Sequence, residues 1–174
     1  MRGQATPVSR ITAPEGFKVE LIYSVPGVGQ GSWVNLGVDN KNRIIASDQY
    51  GGLYRFPAPP KGRPVDPRTI KKIPVDIRAV NGILWAFDAL YVAVNDYEKK
   101  IDSGLYRITD TDGDDELDKL EKLRPMFASG DHGVHALLLS PDKKSIYMIT
   151  GNNTETTEAQ ISRVPRHWGE DHLN

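Results

Sequence analysis

Two histidines and an aspartate precede a strand-like apolar run near the carboxyl end of the chain. Residues 129–154 read SGDHGVHALLLSPDKKSIYMITGNNT, with Asp131, His132 and His135 ahead of the apolar residues. A histidine beside a carboxylate can act as a general base, because the carboxylate orients the imidazole and stabilises its charged form. Imidazoles are also common metal ligands, and in many loops they only bond to carbonyl groups. The residue types alone leave all three roles open.

A second group of residues suited to chemistry is an acidic run, DTDGDDELDKLE, at residues 110–121. Aspartate occupies positions 1, 3, 5 and 9 and glutamate position 12, which is the ligand spacing of an EF-hand-type calcium loop. The candidate metal ligands are Asp110, Asp112, Asp114 and Asp118. Position 6, where such loops carry glycine, is Asp115, and aspartate tolerates left-handed backbone better than most residues. The run predicts either a calcium site between two strands or a solvated acidic turn.

Three similar segments supply the scaffold that would position these residues. Each has an apolar strand, a tight turn, a second apolar strand ending in Asp or Asn, and a third strand carrying arginine. The motif GLYR occurs twice, and Arg55, Arg107 and Arg163 are separated by 52 and 56 residues. Repeats of this length, with several strands each, are typical of β-propeller blades. The approximate repeats are residues 17–57, 70–109 and 123–165.

The sequence predicts an all-β fold of three β-propeller blades, a partial ring of a six-bladed type. The 16 glycines and 12 prolines fall between short runs rich in Val, Ile and Tyr, and helix signals are scarce. Closed propellers have about four to eight blades, so residues 1–174 are expected to be the N-terminal part of one larger propeller domain. The alternative is a small complete β-sandwich. Residues 58–76 are expected to connect the first two blades and supply an outer edge strand, with a docking loop as the alternative.

Propeller geometry predicts where the polar residues of the three repeats meet. In each blade the first strand begins, and the second strand ends, at the same face of the ring. Asp48, Asn95 and Asn152 stand at the ends of the three second strands. We therefore expect them to share one rim with His132 and His135 and to be candidate ligand- or cofactor-binding residues.

Composition excludes several classes of protein. The chain has 174 residues, a formal net charge of −1 and a pI of about 6.4, so nothing predicts a nucleic-acid partner or an anionic membrane surface. No apolar run approaches the length of a membrane span. Cysteine is absent, which excludes disulfides, thiolate metal sites and c-type haem attachment within these residues.

Five motifs together resemble a known family: GFKVELIYSVP, SDQYGGLYR, DTDGD, DHGVHALLLSPDKKSIYMITGNNT and SRVPRHWGED. They resemble the N-terminal propeller of planctomycete-type membrane-bound dehydrogenase-like, or haem-binding-domain, proteins, which are related to the glucose/sorbosone dehydrogenase propellers that use pyrroloquinoline quinone (PQQ). The resemblance covers nearly the whole chain. It implies a PQQ-dependent sugar or alcohol dehydrogenase-like protein, periplasmic or secreted in full length, although the first 21 residues contain no apolar signal core.

The resemblance also implies roles for individual residues. His132 matches the start of the family frame H-x-x-x-x-L…P-D and would be the base, with Asp131 beside it, whereas His135 is an addition to that frame. Calcium would bind near residues 110–118. A cytochrome c domain further along the full-length chain would carry any haem. The alternative is a non-catalytic propeller module that binds a carbohydrate or a protein partner.

Overall fold

The structure, a computed structural model, describes residues 5–128 and 130–155. Within these ranges the regular structure is almost entirely β, with two short 3₁₀ helices at Val8–Arg10 and Pro67–Thr69. The strands are β1 Trp33–Val38, β2 Arg43–Asp48, β3 Leu53–Pro57, β4 Lys71–Lys72, β5 Val80–Ala86, β6 Ala89–Val94, β7 Gly104–Thr109, β8 Lys119–Pro125, β9 Val134–Leu139 and β10 Ile146–Thr150. The predicted all-β class is confirmed. None of the helices described is long and apolar enough to cross a membrane.

The strands form three antiparallel sheets in chain order. Sheet 1 is β1-β2-β3-β4, sheet 2 is β5-β6-β7-β8 and sheet 3 is β9-β10. Within each sheet, every strand pairs with the next one along the chain, which is the pattern that the short turn signals between apolar runs predict. The third strand predicted for the last repeat, which carries Arg163, lies outside the described residues.

The repeat boundaries differ from the prediction at the outer strands. Strand β4 pairs with β3 and completes sheet 1, whereas the sequence places residue 70 at the start of the second repeat. Strand β8 pairs with β7 and completes sheet 2, whereas the sequence places residue 123 at the start of the third repeat. These outer strands are polar and largely exposed, so they lack the apolar alternation that marks the inner strands. The edge strand expected within residues 58–76 is confirmed as β4.

An apolar core joins sheets 1 and 2. Every residue of β6 is buried, because this strand is covered on both faces. Its side chains Leu90, Val92 and Val94 belong to one cluster with Ile45 of β2 and Leu53 of β3. The strand's continuous run of apolar residues, ALYVAV, is the sequence signature of such a position.

The three sheets approach one another through their first strands, with β1 beside β5 and β5 beside β9. Glycine permits both approaches. A methyl group at Gly37 would lie 2.4 Å from Cγ2 of Ile83, and one at Gly82 would lie 2.1 Å from the carbonyl oxygen of His135. The approach at Gly82 and the hydrogen bond from Nδ2 of Asn35 to the Asn81 carbonyl at 2.6 Å bring the beginnings of successive first strands close together.

Both ends of this series of sheets expose apolar side chains. Residues on β1 that alternate with those facing sheet 2 are 46–65% exposed: Val34, Leu36 and Val38. Three residues of sheet 3 are 54–60% exposed: Leu138, Tyr147 and Ile149. Contiguous apolar surface of this kind is unusual on a soluble monomer and marks a contact with another structural element.

Candidate functional site

A pocket of about 170 Å³ lies where the second strands of sheets 1 and 2 end and the first strands of sheets 2 and 3 begin. All three sheets contribute to it. The lining residues are Gln49 and Tyr50 after β2, Arg78, Ala79 and Asn81 at the start of β5, Asn95, Asp96, Tyr97 and Glu98 after β6, and Asp131 and His135 at the start of β9. The structure thus brings together three residues singled out from the sequence: Asn95, Asp131 and His135.

Three other candidates are placed outside this lining. Asp48 is buried, and its Oδ1 accepts hydrogen bonds from the backbone N–H groups of Ser32 at 3.0 Å and Tyr50 at 3.2 Å. Its carboxylate closes the turn after β2 and so positions the pocket residue Tyr50. His132 is exposed, and its Nδ1 lies 3.1 Å from Oδ1 of Asn152. His132 and Asn152 therefore contact each other at the edge of the site.

The contact with Asn152 bears on the tautomer of the His132 ring. An amide oxygen only accepts hydrogen bonds, so the contact is a hydrogen bond in the tautomer of His132 that carries its proton on Nδ1. In the neutral ring, Nε2 then carries the free lone pair, which is the form that a general base requires. Asn152, rather than the predicted partner Asp131, is the residue that orients this imidazole within the described structure.

Three buried polar atoms in the pocket lining have no hydrogen-bond partner within the part of the chain that the structure describes. They are Nε of Arg78, Oδ1 of Asn95 and Nδ1 of His135. Asn95 is only 4% exposed, and its Nδ2 donates to the carbonyl of Gly130 at 3.1 Å, which fixes the amide and leaves its oxygen unpaired. An unpaired buried polar atom costs about 1–3 kcal/mol, so such atoms mark places where a ligand or an ordered water binds.

Two carboxylates hold the arginine of the pocket in place. Arg78 pairs with Glu98, and its Nε lies 3.6 Å from Oδ2 of Asp96. Asp96 is buried and also accepts backbone hydrogen bonds from Lys100 and Ile101, each at 3.0 Å. The neighbouring Lys100 and then Arg78 lower the pKa of Glu98. The Arg78 charge is thus already compensated inside the pocket.

Two tyrosines from different sheets meet at the pocket. The hydroxyl of Tyr50, which follows β2, lies beside that of Tyr97, which follows β6, and this contact raises the pKa of Tyr97. Burial raises the same pKa, and so do the negative charges of Glu98 and Asp131. The two tyrosines and these two carboxylates all line this side of the pocket.

Sequence reasoning missed Tyr50, Tyr97, Arg78 and Glu98, although a signal for the two tyrosines was present. The first repeat reads Asp-Gln-Tyr from Asp48 and the second reads Asn-Asp-Tyr from Asn95, so each tyrosine stands two positions beyond a predicted rim residue. Extending the predicted rim by two residues at each strand would have included both. Arg78 precedes β5 by two residues and would have been found in the same way.

The acidic run forms the loop between β7 and β8, as the sequence predicts, and does not line the pocket. Asp110, Asp112 and Asp114 each place one carboxylate oxygen within 4.8 Å of the others. Hydrogen bonds from backbone amides, that of Gly113 above all, lower the pKa of Asp110. Three of the four predicted ligands thus converge.

The fourth predicted ligand, Asp118, has a different contact. Its carboxylate accepts hydrogen bonds from the hydroxyl of Thr111 at 2.7 Å and from the Thr111 backbone N–H at 3.1 Å. Both bonds close the loop at its base, where β8 begins. In this conformation Asp118 shapes the loop instead of joining the converging carboxylates.

Asp115, at the position where EF-hand loops carry glycine, has the left-handed backbone that the glycine would supply, with φ +72°. Its carboxylate accepts two hydrogen bonds from the guanidinium of Arg43 on β2, at 2.5 and 2.8 Å. Nη2 of Arg55 on β3 donates to the Asp115 carbonyl at 2.5 Å. Arg43, with help from Lys41, holds the pKa of Asp115 well below its usual range. Asp115 therefore ties the loop of sheet 2 to sheet 1.

We expect Asp115→Asn to lower the free energy of unfolding by about 1 kcal/mol at pH 7. Asparagine keeps the shape and tolerates left-handed backbone, but it loses the charge that pairs with Arg43. The estimate is modest because the Asp115 side chain is 40% exposed and the pair is screened by solvent. Urea denaturation of both proteins measures it, with Asp112→Asn as the control, since Asp112 contacts only its own loop.

The pairing of Asp115 with Arg43 also predicts that the stability of the protein depends on pH. A carboxyl whose pKa is depressed by folding stabilises the protein fully above its unfolded pKa of about 3.9 and loses that contribution as the pH falls toward the folded pKa. The difference in stability between the wild type and Asp115→Asn should therefore shrink below about pH 4. A difference that stays constant down to about pH 2.5 would show that the charge is not the cause.

Comparison of the chain with protein-family models, with curated proteins and with solved structures gave no match. The pocket and the acidic loop are therefore the features that indicate a function.

Proposed function

We propose that the chain is part of a β-propeller and that its rim pocket binds a sugar or polyol. Successive antiparallel meander sheets whose first strands lie side by side support the propeller arrangement, since this is how blades follow one another. The exposed apolar faces at both ends of the series support it too, because further sheets would cover them. A two-layer sandwich would instead bury its apolar residues between two facing sheets.

The observation that most supports a sugar or polyol ligand is the pocket itself. It is lined from three sheets, and buried atoms of Arg78, Asn95 and His135 in its lining make no hydrogen bond within the described residues. Guanidinium N–H is a donor, an amide oxygen is an acceptor, and an imidazole nitrogen is either. A sugar hydroxyl both donates and accepts, so one polyhydroxylated molecule satisfies all three. The tyrosine rings of Tyr50 and Tyr97 add the apolar surface on which a sugar ring rests.

The residues described do not suit PQQ as the occupant of this pocket. A quinone that bears several carboxylates needs Arg or Lys side chains to hold it. Among the described lining residues, Arg78 is the sole Arg or Lys, and it is already paired with Asp96 and Glu98. Asp131 adds a further negative charge. We therefore assign no step at these residues to the quinone.

The second candidate function is oxidation of the bound sugar or alcohol to a carbonyl compound, in which the hydroxyl proton passes to His132 and the hydride passes to a two-electron acceptor, such as a quinone, held outside the described residues. The orientation of His132 favours this function. In the tautomer whose Nδ1 donates to Asn152, Nε2 is unprotonated, so the ring suits removal of a hydroxyl proton. His132 follows Asp131 directly along the chain, and Asp131 lines the pocket. The base is thus available at the edge of the site, while His135 contacts the ligand from inside it.

Titration calorimetry of the intact protein with neutral and charged monosaccharides and polyols tests the first function. We expect at least one of them to bind, and Asn95→Ala or His135→Gln to weaken that binding about tenfold, since each removes a hydrogen bond worth roughly 1.4 kcal/mol. Asn40→Ala is the matched control, because Asn40 is exposed in the β1–β2 turn away from the pocket lining. Absence of binding by every compound to the folded protein would refute the proposal.

We also propose that the acidic loop binds calcium. The convergence of Asp110, Asp112 and Asp114 supports this, since calcium takes carboxylate oxygens from alternate positions of a loop. The left-handed backbone at Asp115 supports it as well, because an EF-hand-type loop needs that conformation at its sixth position. Asp118 would complete the set only by exchanging its contact with Thr111 for the ion.

Calcium should therefore raise the melting temperature of the intact protein. At a free concentration of one hundred times its Kd, a ligand that binds only the folded state adds about 2.7 kcal/mol to the free energy of unfolding. The melting temperature then rises by several degrees. Magnesium should do less, because it requires a smaller octahedral site. Asp112→Asn should abolish the effect, and Asp88→Asn, in the exposed β5–β6 turn, should leave it intact. A calorimetric titration without calcium uptake would identify the loop as a solvated acidic turn.

A further inference from the structure

We propose that the rim pocket selects a protonated amine, so that its preferred ligand is an amino sugar and not a neutral or acidic sugar. This inference rests on the proposed function and concerns the same pocket. Three observations carry it: the balance of charges in the lining, the unpaired acceptor atoms, and the position of the two tyrosines.

The charges that line the pocket are mostly negative. Asp96, Glu98 and Asp131 share the lining with one guanidinium, that of Arg78, and Nζ of Lys100 lies 3.0 Å from Oε2 of Glu98. Asp96 and Glu98 are thus compensated, whereas none of the ion pairs within the described residues includes Asp131. A ligand that enters the pocket therefore meets an uncompensated carboxylate, which attracts a cation and repels an anion.

The unpaired atoms specify the hydrogen bonds that the ligand must make. Oδ1 of Asn95 accepts only, and it has no donor within the described structure. Nδ1 of His135 is a second acceptor when the ring is neutral and protonated on Nε2. An ammonium group offers three N–H donors to such a set, with the Asp131 carboxylate as the third acceptor. Nε of Arg78 makes no hydrogen bond within the described residues, although it lies 3.6 Å from Oδ2 of Asp96, and a sugar hydroxyl could accept a hydrogen bond from it.

The two tyrosines provide surroundings that stabilise a cation. Tyr50 and Tyr97 line the pocket from two different sheets. The Tyr50 hydroxyl above all, then burial and the nearby charges of Glu98 and Asp131, raise the pKa of Tyr97. An ammonium beside a tyrosine face gains attraction from the ring as well as from these two carboxylates. A molecule with both hydroxyl groups and an amine thus complements the acceptor atoms, the Asp131 carboxylate and the tyrosine rings of the pocket.

The test is calorimetry of the intact protein at about pH 6, where a sugar amine is protonated. The probes are glucosamine, N-acetylglucosamine, glucose and glucuronate, which differ mainly in charge. We expect glucosamine to bind about five- to tenfold more tightly than glucose, and glucuronate to bind most weakly. The advantage of glucosamine should diminish at high salt, because the attraction is electrostatic.

Asp131→Asn separates this inference from the proposed function. The variant should lose most of the glucosamine preference, so that glucosamine and glucose bind with similar affinity, while the control Asp88→Asn, outside the pocket lining, should keep the preference of the wild type. Equal binding of glucosamine and glucose by the wild type, or tightest binding of glucuronate, would overturn the amine preference and leave sugar binding in place. Failure of all four probes to bind would overturn the amine preference too, and binding of other polyols would then decide the proposed function separately.

Discussion

Gly82→Ala is expected to lower the free energy of unfolding by about 2–3 kcal/mol. The added methyl would lie 2.1 Å from the carbonyl oxygen of His135 and 3.0 Å from Cβ of Ala93. The first neighbour is backbone and cannot rotate away, so β5 and β9 must separate, and overpacking of this kind typically costs about 1–3 kcal/mol. Urea denaturation and thermal unfolding of the intact protein measure the change.

The control for this prediction is Gly16→Ala. A methyl there meets nothing within 4 Å, so its cost reflects only the left-handed backbone at φ +85°. Because His135 lines the pocket from β9, Gly82→Ala should also weaken ligand binding, which Gly16→Ala should not do. A Gly82→Ala protein as stable as the wild type would mean that sheets 2 and 3 do not pack as described.

His132→Gln is expected to reduce turnover about 10²–10⁴-fold if the protein oxidises its ligand, since that is the usual contribution of a general base. Thermal stability should hardly change, because His132 is exposed and its side chain contacts Asn152. His135→Gln should cost less in turnover and more in ligand affinity, because His135 lines the pocket. Dye-linked assays with a panel of sugars and alcohols, run on the wild type and both variants, measure these effects.

Two results would revise this second candidate function. Full activity in His132→Gln would leave oxidation in place and remove His132 as the base. A folded wild type that binds sugars and oxidises none of them would identify the protein as a binding module, which is the function that the pocket geometry favours.

The inner strands could be predicted from the sequence because the residues that define them are adjacent along the chain. Apolar residues bounded by turn residues mark β1, β2 and β3 and recur in β5, β6 and β7, as alternation in β1 and β7 and as a continuous apolar run in β6. The outer strands β4 and β8 lack this apolar pattern, because each pairs along only one edge and faces solvent. The sequence indicated an edge strand within residues 58–76, but the sheet that β4 or β8 joins depends on pairing with a neighbouring strand.

The site could be predicted only in part, because residue type does not say what a side chain contacts. Asp48 and Asn95 stand at equivalent strand ends, yet the Asp48 carboxylate accepts local backbone hydrogen bonds while Oδ1 of Asn95 stays unpaired. His135 lines the pocket because the first residues of β9 lie against Gly82, a contact between residues far apart in sequence. The partner of Asp115 could not be predicted from the sequence either, since Arg43 lies 72 residues earlier.

The contact between Arg55 and Asp115 affects the order in which the chain acquires structure. Arg55 of β3 is buried, and its Nη2 donates to the Asp115 carbonyl in the β7–β8 loop, whereas Arg43 also pairs with Asp39 of its own sheet. A nascent chain must therefore be synthesised at least as far as residue 115 before the buried guanidinium of Arg55 has this acceptor. Sheet 1 thus completes its polar contacts only when the β7–β8 loop of sheet 2 is present.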